Sequence, residues 1–200
     1  MGVRVLDYLR FQESAILGLE SARAVLSAFT GRPLRLQAVQ TDYVELTAVP
    51  LLSGPPEEVV LSSYVTFAGD VEGQLLILFR PDSAEKLAGV LAPHILESVP
   101  DHEIPALMDS LIGEVANIVG SSVLNKVADG FDIKILPIPP VMIREMAGAV
   151  LGSAMSYAGS DGDATYVAYM KVTLDEEQAS FDIVFLPRLG SSKDGFWNTE

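Results

Sequence analysis

An α/β or α+β fold is what this sequence predicts, on three observations. Two long stretches, 6–29 and 105–127, repeat apolar residues at helical intervals. Around them run shorter alternating or continuous apolar segments bounded by Gly, Pro and Asp, as strands and turns require. The order helix, strand, excursion, closing hairpin then occurs twice. The chain therefore reads as an internal duplication, with halves at 1–92 and 104–188 and a polar tail at 190–200.

Leu9, Ile16, Leu17, Val25, Leu26 and Phe29 carry the first helix, and Gly31 with Pro33 stops it. Residues 34–49 alternate in part like a strand, and Ser53-Gly54-Pro55-Pro56 turns the chain. Val59 to Phe67 and Val71 to Phe79 form a hairpin about Gly69-Asp70, and Pro81-Asp82-Ser83 opens a short helix ending near Ala92. Residues 93–103 connect the halves. Pro105 suits a first helical turn, and Leu107, Met108, Leu111, Ile112, Val115, Ile118, Val119 and Val123 carry a second long helix to about Val127, ended by Asp129-Gly130. A strand at 133–138, a helix-compatible stretch at 143–157, a loop at 159–163 and strands at 166–174 and 181–186 complete the order.

The bulk numbers exclude more than they name. At 49% hydrophobic residues over 200 positions the chain can fill a core. With 13 basic against 27 acidic residues and a formal charge of −14, it is a poor ligand for nucleic acid or an anionic membrane surface. The absence of cysteine removes disulfides, thiolate metal sites and cysteine nucleophiles. Neither a leader-like start nor a membrane span is expected, and a cytoplasmic location is the default. Met1-Gly2 begins like a myristoylation signal, but Leu6 stands where Ser or Thr is required. No Gly-rich phosphate loop ending in Lys-Ser/Thr is present.

One polar stripe interrupts the second long helix. At about 100° per residue, positions i, i+4 and i+7 fall within roughly 60° of one another, so Ser110, Glu114 and Asn117 point the same way. Ser121 extends the stripe, and Pro140 follows 23 residues after Asn117. By themselves these residues are equally the wet face of an amphipathic helix.

The spacing [Asp/Ser]-x3-Glu-x2-Asn-x22-Pro resembles the signature of the CheC/CheX/FliY family, phosphatases acting on the phosphorylated aspartate of the chemotaxis regulator CheY. The likeness is strongest from Ile104 to Ser153, through Gly113-Glu114-Val115-Ala116-Asn117-Ile118-Val119-Gly120-Ser121, Leu124-Asn125 and Leu136-Pro137-Ile138-Pro139-Pro140, and it is nearest to CheC. It implies a single CheC-like domain over 1–190, with two long helices on a six-stranded, mostly antiparallel sheet. It also implies roles: Asn117 orients the attacking water, and Glu114 docks against the regulator's lysine. Ser110 supports the helix face or is a plain solvent-facing serine; Pro140 shapes the neighbouring turn or merely ends a strand. The Mg2+ such a reaction needs belongs to the phosphorylated regulator, and no cofactor or metal is expected on this chain. A non-catalytic adaptor like the middle domain of FliM, or a protein that only sequesters phosphorylated CheY, is the alternative.

In the first half the matching positions are Leu9, Glu13, Ile16 and Val39, of which only Glu13 keeps the pattern. Isoleucine cannot orient water, so that half is expected to be inactive. Met146-Ala147-Gly148-Ala149-Val150-Leu151 resembles the CheC segment near which CheD docks, and core packing explains the same residues. His94 and His102, with Asp101 and Glu103, are read as exposed linker residues rather than metal ligands. The run from Gly159 to Asp163 lacks the spacing of a calcium loop. Trp197 in the tail is either a docking element or folds back onto the chain.

Overall fold

The central strands β4 (Gly73–Phe79) and β8 (Ala179–Pro187) are buried along nearly their whole length because both sheet faces are covered. Their odd residues, Leu75, Ile77 and Phe79 with Phe181, Ile183 and Phe185, face one core; Leu76 and Leu78 with Val184 and Leu186 face another. In this computed structural model, residues 4–45, 48, 54–92, 98–158, 166–174, 179–188 and 197–199 are described. The larger core lies under the long helices α1 (Tyr8–Thr30) and α3 (Ile104–Phe131), with α2 (Pro81–Leu91) beside them. The smaller lies under α4 (Ala147–Ala158).

The sheet order is β2 (Leu36–Glu45), β7 (Tyr166–Leu174), β8, β4, β3 (Val59–Gly69), and every pairing is antiparallel. The sixth place is shared by β5 (Ile135–Pro137) and β6 (Val141–Met146), which pair with successive parts of β3. Ile138 N–H still donates to Thr66 O at 2.8 Å. Pro139 and Pro140 then interrupt the ladder, because proline has no N–H to contribute. Exchanging β2 with β5/β6, β7 with β3 and β8 with β4 maps the strand order onto itself, which is the duplication in structural form.

Three expectations change. Residues 143–146 belong to a strand, not a helix: β6 runs from Tyr64 to Val59 along β3, and Ser62 Oγ donates to Ile143 O. The second long helix continues past Asp129-Gly130 to Phe131, where Asp132 takes the left-handed conformation (φ 51°) and Ile133 N–H closes onto Ala128 O. Arg10 favours that longer end by donating to Gly130 O at 2.6 Å and stacking over the Phe131 ring. Third, the apolar residues that announced α1 are mostly not its buried face. Leu9, Ile16, Leu17, Val25 and Phe29 are exposed, and of the six only Leu26 is buried. The buried face, toward α3 and the sheet, is built from Phe11, Ser14, Ala15, Gly18, Leu19, Ala22 and Leu26.

Small residues win that face because the helices approach closely. A Cβ on Gly18 would stand 2.6 Å from Val123 Cα. Alanine normally gains about 1 kcal/mol over glycine within a helix, whereas overpacking costs about 1 to 3 kcal/mol. Backbone atoms cannot yield as a side-chain tip can, so the cost prevails. Gly18→Ala is expected to lower the unfolding free energy by about 1 kcal/mol net, seen as a lower urea midpoint, while Gly89→Ala, with open space at its Cβ, raises it. An equal response of the two variants would show that the helices are not in close contact.

By length and composition α3 could cross a membrane. Here its apolar stripe is spent on the sheet and on α1. Residues 197–199, expected in a polar tail, form β9 (Trp197–Thr199), paired with β1 (Arg4–Leu6). The expected features at Met1-Gly2, His94, 159–163 and 190–196 lie outside the described residues.

On the α4 side of the sheet Tyr169 Oη donates to Asp182 Oδ1 at 2.8 Å, with Asp182 only 5% exposed. Burial raises the Asp182 carboxyl above its usual range, against the opposing pull of the Tyr169 hydrogen bond and of Lys171 and Arg80. A raised native pKa means the folded state holds its proton more tightly. That contribution is complete below the unfolded value of about 3.9 and is lost as pH rises through the native one. Asp182→Asn cannot titrate, so its stability relative to the parent is expected to climb as pH rises above the unfolded carboxyl value of about 3.9 in paired denaturant titrations. A pH-independent difference would contradict the shift.

Candidate functional site

Helix α3 buries Ile112, Val115, Ala116, Val119, Gly120, Val123, Leu124, Val127 and Phe131 and turns the opposite stripe outward. Ser110, Glu114 and Asn117 are all exposed, and Ser121 is partly so. Below the helix, Gly120 lies over Leu75, Val65 and Ile77 of the sheet, where a Cβ would make ordinary van der Waals contact, and Gly113 faces Met142 of β6. An ion pair between Arg144 of β6 and Asp109 ties the start of the ridge to the sheet edge. The ridge is therefore held on a helix fixed from below and from one side.

Two clefts flank it. One, of about 340 Å³, is lined by Asn117, Ser121, Val65 and the run Pro137, Ile138, Pro139 and Pro140. The distant proline and the asparagine of the spacing thus meet in one cleft, because the break between β5 and β6 lies across from the middle of α3. The other, of about 260 Å³, holds Ser110 and Glu114 at its rim over an apolar lining. No residue spacing in the sequence marks that second cleft. Its walls join α1, α2 and α3, and only the bulky Phe29 near the end of α1 hinted at it.

Ser121 Oγ donates back to Asn117 O at 2.6 Å and to Ile118 O, so that hydroxyl is committed to its own helix. Among the described residues, neither the Glu114 carboxylate nor the Asn117 carboxamide has a hydrogen-bond or ion-pair partner. A carboxamide in that position can accept from a water through its oxygen and donate through its nitrogen. The exposed carboxylate one turn away can meet a cation.

An offset of 101 residues places all seven buried positions of α1 on buried positions of α3, from Phe11 on Ile112 to Leu26 on Val127. The same offset sets Leu9, Glu13 and Ile16 at the places of Ser110, Glu114 and Asn117, and all three are exposed. The first half keeps the ridge but offers hydrocarbon where the second offers polar groups.

His102 is exposed beside Glu103. Among the described residues no three metal-ligating side chains converge. Within 146–151, Ala147, Val150 and Leu151 are buried in the α4 core, leaving Met146 and Ala149 on the surface.

The sequence model of the family described as Chemotaxis phosphatase CheX matches residues 61–156, a span that holds the whole ridge and both strands beside it. FliY of Thermotoga maritima superposes with a TM-score of 0.65 at 16% identity, over 86% of this chain and 85% of that one. The middle domain of FliM from H. pylori gives 0.60 at 10% identity, over 92% of each chain. The CheX of the CheX-CheY-BeF3-Mg2+ complex from Borrelia burgdorferi gives 0.52 at 16%, over 92% and 99%. At such identities the structural likeness is one of fold, shared by CheX with FliY and FliM. The sequence match to CheX, over just under half of the chain, and this common fold meet on the same residues, and across them the chain is similar to the CheC/CheX/FliY family.

Proposed function

We propose that the chain hydrolyses the aspartyl phosphate of a CheY-like response regulator in the cytoplasm, with Asn117 orienting the attacking water and Glu114 holding a regulator lysine. Hydrolysis of an acyl phosphate is already downhill. The helper's task is to place water in line with phosphorus, which needs position rather than a covalent intermediate. One observation carries the reading: an exposed carboxamide without a partner among the described residues, on a braced helix, opens on a cleft one turn from a carboxylate that likewise has none among them. The complex of a CheX with CheY, BeF3 and Mg2+ supports a CheY-like partner. Phosphoaspartate, lysine and Mg2+ all come with that substrate. Ser110 and Pro140 shape the surface and move no proton.

The fold shared with the FliM middle domain favours one second reading, a switch-type adaptor without turnover. CheD, if it docks at the α4 start, has Met146 and Ala149 to touch. The lifetime of radiolabelled regulator phosphate separates the readings. Faster decay at a substoichiometric dose of this protein is the expected result. Unchanged decay at every dose leaves the adaptor, and protection of the phosphate at stoichiometric dose leaves a sink.

A further inference from the structure

Beside Glu114 the structure holds a feature that water positioning does not use. The cleft of about 260 Å³ is formed where the end of α1 (Leu26, Phe29), the end of α2 (Leu91) and the first half of α3 (Leu111, Val115, Ile118) meet. Leu26, Leu91 and Val115 make a buried floor, while Phe29, 56% exposed, stands at the mouth. Ser110 and Glu114 are its polar rim, so the cleft is continuous with the ridge.

We propose that this cleft is an anchor pocket that takes one large apolar side chain, aromatic or branched aliphatic, from the response regulator's surface next to the lysine that meets Glu114. The inference rests on the proposed phosphatase reading and adds what selects the partner. Three features of the cleft specify the occupant. Its volume exceeds the roughly 150 Å³ that accommodates a benzene ring. Among the described residues its lining below the rim consists of apolar side chains, so a polar side chain would be desolvated without return. Its anionic rim in a chain of net charge −14 favours a cation beside the apolar group and repels an acidic neighbour. A regulator with a small or acidic residue at that place leaves the pocket wet or meets repulsion, and is rejected. Phe29, Leu111 and Ile118 are thus specificity-determining residues, whereas Asn117 acts on every bound substrate alike.

The test is steady-state dephosphorylation of a CheY-type regulator charged with acetyl phosphate, together with titration of the same regulator carrying beryllofluoride and Mg2+. Phe29→Ala opens the mouth, and its half-exposed side chain makes loss of folding a small concern. Leu111→Trp fills the cleft from the other wall. Both are expected to raise KM and Kd by about tenfold or more, as loss of a central interface anchor does, with kcat at saturation near the parent's. A fall in kcat without a change in KM would mean that the cleft only supports the helix, and unchanged KM and Kd in both variants would overturn the pocket while leaving the phosphatase reading intact. If the parent neither hydrolyses nor binds the charged regulator, both proposals fall. If Asn117→Ala keeps full turnover while the pocket variants lose affinity, the anchor stands and the water-orienting role does not.

Discussion

Asn117→Ala is expected to lower kcat for regulator dephosphorylation by about 10² to 10³-fold, or about 2.7 to 4 kcal/mol, the usual effect of removing one positioned polar group that acts mainly in the transition state. The Kd for the beryllofluoride-loaded regulator should barely move, since water is not part of the docking contact. Folding should be undisturbed, because the side chain is exposed and has no partner among the described residues to leave unpaired. Glu13→Ala is the matched control. It alters the equivalent carboxylate on α1, where Ile16 takes the place of the asparagine, and is expected to leave turnover unchanged. Measured kcat values for the two variants decide the matter: near-normal turnover by the Asn117 variant would sink the catalytic assignment, and a strong defect in the Glu13 variant would restore the first half as a second site.

Glu114→Ala should produce the opposite kinetic pattern, a loss of affinity of about 2 to 5 kcal/mol appearing in KM and in Kd, with a smaller change in kcat. That magnitude requires the carboxylate to leave water on docking. An ion pair that stayed wet would contribute about 1 kcal/mol or less. The two cases separate by salt: the affinity difference between parent and variant should persist at high ionic strength if the pair is desolvated and shrink if it is exposed. Binding measured against salt for both proteins checks this, and an unaltered Kd would remove Glu114 from the interface. Glu114→Gln is the finer probe, because it keeps the shape of the rim shared with the apolar cleft and removes only the charge.

Much of the architecture was legible because it is local. Gly31 ends α1 in a left-handed conformation (φ 68°), as a glycine after the last helical turn should, and Pro81 opens α2. β7 runs over the predicted 166–174, where β-branched and aromatic residues gather between polar breaks. The misread stretch at 143–146 is instructive. Its composition suits a helix, but β3 offers an unpaired edge there, and pairing along six residues outweighs a weak local preference.

The polar ridge could be read from spacing alone, since helical geometry alone fixes that Ser110, Glu114 and Asn117 share a stripe. Which face of α1 is buried could not be read. Hydrophobicity pointed to Leu9, Ile16 and Leu17, whereas the close approach of Gly18 to Val123 selects the small residues and leaves the large ones outside.

The two long helices, the hairpin about Gly69-Asp70 and the one helical stripe carrying a carboxylate and a carboxamide follow from the amino-acid order, because each depends on contacts within a few residues. Tertiary packing is what brings Pro140 to Asn117 across a cleft, pairs 143–146 with β3, and closes an apolar pocket beside Glu114 with the ends of α1 and α2. Those arrangements depend on how far apart packed helices and paired strands settle, a distance set by side chains remote from one another in the chain.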